Sequence, residues 1–195
     1  MSAAGRPGGP GAPDLLSEFW APLCAVGSHD ASGRLNAQIC VSVFGASIVP
    51  ERPRLLVVLS RTTFTHDLIA RSGTLAVTLL AEEQLELLEP LGLRSGRDGE
   101  KLAGLAVGTT QQGDPLFPGG VGYLACEVLE SAGLGDSTAY LVAVRGRERL
   151  GEGGERRLPM RWADARTRVG AGFLERWAER SAGEQQAARR AMIWR

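Results

Sequence analysis

The sequence predicts a mainly β domain of the α+β class, in which antiparallel strands are accompanied by a few short helices and a helical C-terminus. The chain of 195 residues is long enough for one domain with a proper core. Its apolar fraction of 44% and charged fraction of 23% are typical of globular proteins. Short apolar runs bounded by turn-forming residues recur along the chain, and no internal repeat or credible linker separates them.

The strands are predicted from apolar runs that end at turn signals. Residues 22–28 are the first of them, followed by a turn at 29–33, and residues 35–44 alternate weakly between apolar and polar side chains. Pro50 and Pro53 mark a loop before the strand 54–60. Further strands are predicted at residues 74–80, 121–130, 139–149 and 158–162. The turn 131–136 joins the two long ones.

The helices are predicted from capping residues and apolar spacing. Asp14 can cap one or two turns that reach Trp20, and Gly73 can end a helix over 65–71. Two more helices are predicted at 82–89 and 173–194. Residues 1–13 are rich in glycine and proline, which predicts a disordered tail. The folded domain is therefore expected over 14–165, with a C-terminal helical extension over 166–195.

Small polar side chains lie on one side of the strand 35–44, because the side-chain period of a strand is two. They are Asn36, Gln38, Cys40 and Ser42. This spacing resembles the lining of a site, and an ordinary solvent-facing strand surface explains it equally well.

A second candidate site lies within residues 57–80, where a strand ends and a helix begins. Arg61, Thr62, Thr63 and Thr65 fall at this junction. Free backbone N–H groups and the positive end of a helix dipole collect there, which favours an anion such as phosphate. The alternative is an ordinary N-cap by Thr63 or Thr65 with Arg61 solvated, and this segment alone favours that alternative.

Charge and composition narrow the partners and the location. The formal net charge is zero, so the chain has no general attraction for nucleic acid or an anionic membrane. The N-terminus lacks the apolar segment of a signal peptide, and no apolar run approaches the roughly 20 residues of a membrane span. A cytoplasmic protein without membrane or nucleic-acid partners is expected.

Metal and hydrolytic chemistry lack sequence support. Cys24, Cys40 and Cys126 each lie in an apolar run, which predicts buried, reduced thiols. His29 and His66 show no metal-ligand spacing, so no metal site is expected. Walker, GxGxxG, HExxH, GxSxG and CxxC motifs are all missing from the sequence. A site in this chain would therefore bind a cofactor that is already reactive.

Several segments occur in an order that is characteristic as a set. They are AVGSHDASGRLNAQ, QICVSVFGAS, PERPRL, LSRTTFTHDLIARSG, LAVTLL, GEKLAG, GDPLF, GYLACEVLE and GDSTAYLVAV. In this order they resemble the flavin reductase-like family of FMN-binding split β-barrel proteins, over roughly residues 23–150. The resemblance implies an antiparallel split β-barrel, with short peripheral helices, that binds FMN or alternatively FAD.

The resemblance also implies which residues bind the flavin. The isoalloxazine ring and ribityl chain would contact Asn36, Gln38, Ile39, Cys40, Val41 and Ser42. The phosphate would be held by Ser60, Arg61, Thr62 and Thr63. Asp136 and Ser137 would lie on the nicotinamide side, where reductases of the family commonly carry a histidine instead of Ser137. The family implies a homodimer with the flavin near the subunit interface.

Two functions remain open at this point. The first is an NAD(P)H:flavin oxidoreductase, which uses NADH or NADPH to reduce FMN for a partner oxygenase or another acceptor. It needs no side chain as acid or base, and no catalytic residue is assigned. The second is a non-catalytic flavin-binding protein acting as a carrier, sensor or partner subunit, which Ser137 favours. The C-terminal helix is expected to extend the dimer contact or to cover the pocket.

Overall fold

A computed structural model describes residues 15–151 and 156–192. The strands in these ranges are β1 (Cys24–His29), β2 (Leu35–Cys40), β3 (Val43–Gly45), β4 (Arg54–Ser60), β5 (Thr74–Leu79), β6 (Gly108–Thr109), β7 (Pro115–Leu116), β8 (Gly122–Gly133) and β9 (Ser137–Arg149). The α-helices are α1 (Phe64–Ser72), α2 (Leu88–Leu93), α3 (Trp162–Arg168) and α4 (Ala171–Ala191). Short 3₁₀ helices cover Leu15–Phe19 and Leu85–Leu87.

Seven of these strands form one antiparallel sheet, which curls into a half-barrel. Their order across the sheet is β2-β1-β5-β8-β9-β4-β3, and β6 and β7 form a separate pair. The prediction of a mainly β, antiparallel split barrel with short peripheral helices and a C-terminal helix is confirmed. Because β8 extends to Gly133 and β9 begins at Ser137, the turn between them is shorter than the predicted turn at 131–136.

The single strand predicted at 35–44 is wrong, because the chain changes its pairing partner within that segment. β2 pairs with β1, with Cys24 opposite Cys40, whereas β3 pairs with β4, with Val43 opposite Val57. Val41 and Ser42 join the two strands, which are the opposite edges of the sheet. The amide of Val58 donates to the Ser42 carbonyl at 2.9 Å and fixes this corner.

Helix α1 forms where the capping residues predict it. The Thr63 side chain accepts a hydrogen bond from the His66 amide, as an N-cap residue does. Gly73 ends the helix with a φ of 71°, in the left-handed region that favours glycine, and its amide donates to the Ile69 carbonyl at 3.0 Å. Leu68 and Ile69 are buried beneath it. The predicted helix 65–71 is confirmed, with one more residue at each end.

The two faces of the sheet carry two separate cores, as alternation along β1 requires. The first core lies between strands of the sheet and contains Cys24 and Val26. The second core lies beneath α2, α3 and α4 and contains Leu23 and Ala25. Phe117 is the largest fully buried side chain and lies in the second of these cores. Helices α2, α3 and α4 are therefore held on one face of the sheet by apolar packing, whereas Ile69 of α1 packs into the core shared by the strands.

Two predicted elements are wrong. The helix predicted at 82–89 is displaced: Gln84 Oε1 accepts from the Ala81 amide, so the first helical turn starts only at Leu85 and α2 continues to Leu93. The strand predicted at 158–162 is reduced to one bridge between Pro159 and Ala81, because proline lacks an amide hydrogen to extend the ladder.

The chain ends are described only in part. The helix predicted at 173–194 is confirmed from 173 to 191, and its last two residues lie outside the described residues. The predicted tail at 1–13 lies outside them as well. The division into a domain over 14–165 and an extension over 166–195 stays a prediction, and α3 spans that boundary.

Candidate functional site

A cavity of about 250 Å³ lies at the corner between β2 and β3, next to the N-terminal end of α1. Nine of the residues predicted to bind flavin line it: Asn36, Gln38, Ile39, Cys40, Val41, Ser42, Ser60, Thr62 and Thr63. The structure therefore brings the two candidate sites of the sequence together in one place. Contact of these residues with a flavin stays a prediction.

Arg61 lies elsewhere. Its amide donates to the Asp136 carbonyl at 2.9 Å, and its guanidinium donates to the Gly135 carbonyl at 3.4 Å. Arg61 lines a separate cavity with His66 and Tyr140. Asp136 and Ser137, predicted on the nicotinamide side, lie at the same β8–β9 turn and are not part of the wall of the first cavity.

Two buried oxygen acceptors in the wall of the cavity have no hydrogen-bond partner among the described residues. They are Asn36 Oδ1 and Gln38 Oε1, from alternate residues of β2. Asn36 is 1% exposed, and its Nδ2 donates to Thr65 Oγ1 at 2.7 Å, which fixes the amide group. A buried unpaired acceptor costs about 1–3 kcal/mol. Both atoms are therefore suited to a ligand that brings N–H or O–H donors.

Gly96 closes the cavity against these side chains. An added Cβ would overlap the Asn36 side-chain oxygen and would lie 2.7 Å from Cδ1 of Phe64. The guanidinium groups of Arg34 and Arg97 lie 5.2 Å and 5.7 Å from the centre of the Phe64 ring, within range of cation–π attraction. Only a residue without a side chain fits at position 96.

The junction before α1 combines the two features between which the sequence does not decide, a helix N-cap and a cluster of hydroxyl groups suited to an anion. Thr63 Oγ1 donates to the Ser60 carbonyl at 3.0 Å and accepts from the His66 amide at 3.4 Å, so the N-cap is confirmed. Ser60 and Thr62 share a hydroxyl–hydroxyl bond of 2.8 Å in the cavity wall. Arg97 donates to the Thr62 carbonyl at 2.8 Å and pairs with Asp67, so an ion pair lies beside these hydroxyls. An anion-binding role for this junction stays a prediction.

The cysteines are buried and unpaired, as predicted. Cys40 lies in the cavity wall, and its Sγ approaches the Val58 carbonyl at 3.5 Å. Burial raises the pKa of Cys40 to about 11 and, with like-charge repulsion, the pKa values of Cys24 and Cys126 to about 12. All three thiols are therefore protonated at neutral pH and are poor nucleophiles.

We expect the folded protein to resist alkylation by iodoacetamide at pH 7, because the reactive thiolate is scarce and the sulfur atoms are buried. Mass spectrometry of the intact chain should show no adduct in buffer and one adduct on each cysteine in urea. Rapid modification of Cys40 in the folded protein would contradict this account of the site.

Sequence reasoning missed one wall of the cavity. Lys101, Arg94 and Arg97 of the loop after α2 line it, as do Trp177, Arg180, Ser181 and Glu184 of α4. Two signals were present. Lys101 is the only lysine in a chain whose other basic residues are arginine, and the α4 residues recur at the spacing of one helix face. Neither signal indicates that these residues lie next to β2 in the folded chain.

Lys101 is 8% exposed, and its Nζ donates to the Leu91 carbonyl at 2.9 Å. Burial, reinforced by the neighbouring Arg180 and opposed by Glu184, lowers the pKa of Lys101 to about 7. Arg180 donates to the Leu93 carbonyl at 3.0 Å and pairs with Glu184 at 3.0 Å. The carbonyls of the last turn of α2 thus accept hydrogen bonds from two basic side chains.

Among residues 15–151 and 156–192, no group of three or more His, Cys, Asp or Glu side chains could hold a metal ion. In the same ranges, no helix has both the length and the apolar character needed to cross a bilayer.

Comparison with known proteins gives consistent matches. Residues 16–170 match the family model of the flavin reductase like domain. A flavin reductase of Pseudomonas putida is 24% identical over 131 residues, which cover 67% of this chain and 74% of that protein. The FMN reductase (NADH) RutF of Stutzerimonas stutzeri is 28% identical over 135 residues, which cover 63% of this chain and 77% of that protein.

Solved structures share the fold. Nitrilotriacetate monooxygenase component B from Mycobacterium thermoresistibile superposes with a TM-score of 0.65 at 22% identity, over 75% of this chain and 79% of that one. At this level of identity the likeness concerns the fold.

Proposed function

Because the chain belongs to the flavin reductase-like family, we propose that its cavity binds FMN and that the protein is an NAD(P)H:flavin oxidoreductase. FAD is the alternative flavin, and NADH or NADPH is the electron donor. The observation that carries the proposal is the pair of unpaired buried acceptors, Asn36 Oδ1 and Gln38 Oε1, in the wall of the cavity.

The residues present fit a flavin mononucleotide. The ring edge of a flavin has an N–H donor and its ribityl chain has hydroxyls, which can satisfy the two unpaired acceptors. Ile39, Val41 and Leu91 give the wall an apolar part for the ring. The bonded hydroxyls of Ser60 and Thr62 leave one O–H donor for the phosphate at the start of α1, where Thr63 caps the helix. We assign the accompanying positive charge to Arg97, since Arg61 lies outside the cavity.

The chain's own residues would bind and orient the reactants. When bound, the flavin supplies the redox chemistry, because its ring accepts electrons from a nicotinamide and passes them on. Thr65 holds the amide of Asn36 in place, and Leu91 and Trp177 give the wall apolar surface that would exclude water around a bound flavin. The Cys40 thiol stays protonated, since burial raises its pKa to about 11. Catalysis would then come from positioning rather than from an acid or base.

The proposal is tested by adding FMN to the purified full chain and then NADH or NADPH without oxygen. We expect flavin binding, loss of the visible flavin absorption and oxidation of the nicotinamide. Tight FMN binding without nicotinamide oxidation would contradict the reductase and support the non-catalytic flavin-binding protein, which serine in place of histidine at position 137 favours. Failure to bind any flavin would contradict both functions.

Replacing Gln38 by leucine should weaken FMN binding by about tenfold, because the ligand loses one hydrogen bond to a buried acceptor. The matched control is Gln112→Leu. Gln112 Oε1 is also buried without a partner among the described residues, but it lies outside the cavity. Fluorescence titration of both variants should show a loss for Gln38→Leu alone. An equal FMN affinity in the two variants would exclude Gln38 from the flavin site.

We also propose a cytoplasmic homodimer that releases reduced flavin to a partner oxygenase or another acceptor. The three unpaired cysteines support a reducing compartment. Strand β3 and the loop after it support a subunit contact, because Phe44 of β3 and Val49 of the loop are exposed and Ile48 is 99% exposed. Sedimentation of the full chain as a monomer at micromolar concentration would contradict the dimer.

A further inference from the structure

Helix α4 lies beyond the family domain and still forms part of the cavity. The family model ends at residue 170, and α4 begins at Ala171. Trp177, Arg180, Ser181 and Glu184 nevertheless line the same cavity as the β2 residues. The family fold alone does not explain this wall.

The position of α4 is fixed by packing. The Trp177 ring lies directly over Gly92 of α2, where an added Cβ would approach the ring to 2.5 Å. Trp177 also stacks on Trp162 of α3, with ring centres 4.8 Å apart. Arg176 of α4 also pairs with Glu89 of α2 at 2.8 Å. The face that carries Arg180 and Glu184 is therefore held towards the cavity.

Two basic side chains share this corner of the cavity with one acid. Lys101 uses one N–H on the Leu91 carbonyl, and Arg180 uses its guanidinium on the Leu93 carbonyl and on Glu184. An ammonium and a guanidinium group each have further donors. Together they offer the charge and the donor geometry that bind a phosphate.

We propose that Lys101 and Arg180 bind a phosphate group of the nucleotide ligand, and that Glu184 competes with this phosphate for Arg180. The inference rests on the proposed function, since it takes the cavity to be the nucleotide site. The phosphate belongs either to the nicotinamide nucleotide, which leaves the flavin phosphate at the start of α1, or to the flavin, whose phosphate then lies at this corner and not at the start of α1. In both cases α4 sets nucleotide specificity through a residue outside the family domain.

The protonation of Lys101 agrees with this assignment. The charged groups around it are Arg180 and Glu184 from α4 and, in the same cavity wall, Arg94 and Arg97 from the loop after α2. Burial lowers the pKa of Lys101 to about 7, so much of the amine is neutral at that pH when the cavity is empty. A bound phosphate would favour the charged form, and binding would take up a proton.

The test compares FMN, riboflavin and NADH binding to the full chain and its variants by fluorescence titration. If the flavin supplies the phosphate, Arg180→Met and Lys101→Met weaken FMN binding about tenfold and leave riboflavin binding unchanged. If the nicotinamide nucleotide supplies it, the same variants weaken NADH binding and leave both flavins unchanged. Glu184→Gln should raise, severalfold, the affinity for the ligand whose binding the other two variants weaken. Arg189→Met, at an exposed position of the same helix outside the cavity wall, should change none of them.

If Lys101 and Arg180 only stabilised the fold and did not bind phosphate, the result would differ. In that case Glu184→Gln and Arg180→Met would act in the same direction, or riboflavin and FMN would lose affinity equally, and either outcome overturns the assignment. Lys101→Arg provides a second variant, which keeps a positive charge at all pH values tested. The affinity of the wild-type protein for the phosphate ligand should fall above pH 7, because Lys101 loses its proton, whereas the affinity of Lys101→Arg should stay constant. Absence of any flavin binding by the wild-type protein would instead contradict the proposed function itself.

Discussion

Replacing Gly96 by alanine is expected to weaken FMN binding by at least about tenfold. The new methyl group would overlap the side-chain oxygen of Asn36 and press on the ring of Phe64, which lies 2.7 Å from the added carbon. Asn36 would have to leave its bond with Thr65, and the cavity would lose a fixed wall. Overpacking of this kind also costs about 1–3 kcal/mol of folding stability. Flavin titration and thermal unfolding measure the two effects separately.

Gly45→Ala is the control for this substitution, because nothing lies within 4 Å of a Cβ built at position 45. It should leave both FMN affinity and stability nearly unchanged. If Gly96→Ala bound FMN like the wild-type protein, the close contact between Gly96 and Asn36 would have no part in ligand binding.

The stability of the protein should depend on pH through Lys101. Its pKa is lowered from 10.5 to about 7 in the folded state, so between these values the unfolded chain binds more protons. Stability therefore rises with pH across this window, and the contribution is lost as pH falls towards 7. Relative to Lys101→Met, the wild-type protein should gain about 2 kcal/mol between pH 7 and pH 9. Urea unfolding at several pH values measures the difference.

The comparison with Lys101→Met is needed because other groups act in the opposite direction. Burial raises the pKa values of Cys24, Cys40 and Cys126, so the unfolded thiols ionise first as pH rises and the folded state loses stability. These thiols are common to both proteins, and their contribution cancels in the difference. A difference that stays constant with pH would show that Lys101 is charged in the folded state.

The parts of the site that the sequence predicts are local in the chain. The hydroxyl-rich turn before α1 and the polar side of β2 follow from capping and from strand alternation, which involve neighbouring residues. The antiparallel class follows from short apolar runs separated by turns. For the same reason, Gly73 could be identified as the residue that ends α1.

The parts that the sequence does not predict depend on contacts between distant residues. The break between β2 and β3 reflects a change of ladder partner, which alternation within one segment does not reveal. Arg61 and Arg97 both have the right chemistry for an anion, and only tertiary packing brings Arg97 into the cavity. The meeting of Lys101 with Arg180 likewise depends on α4 packing against α2 through Trp177 and Gly92.

The corner at Val41 and Ser42 has a consequence for the mechanics of the sheet. These two residues join opposite edges of the half-barrel, and both also line the cavity. A ligand seated there would contact β2 at one edge and residues 58–60 of β4, which is the neighbour of the other edge strand, and would hold the two sides together. A motion that parts β2 from β4 would break these contacts, so occupancy of the cavity and closure of the sheet would reinforce one another.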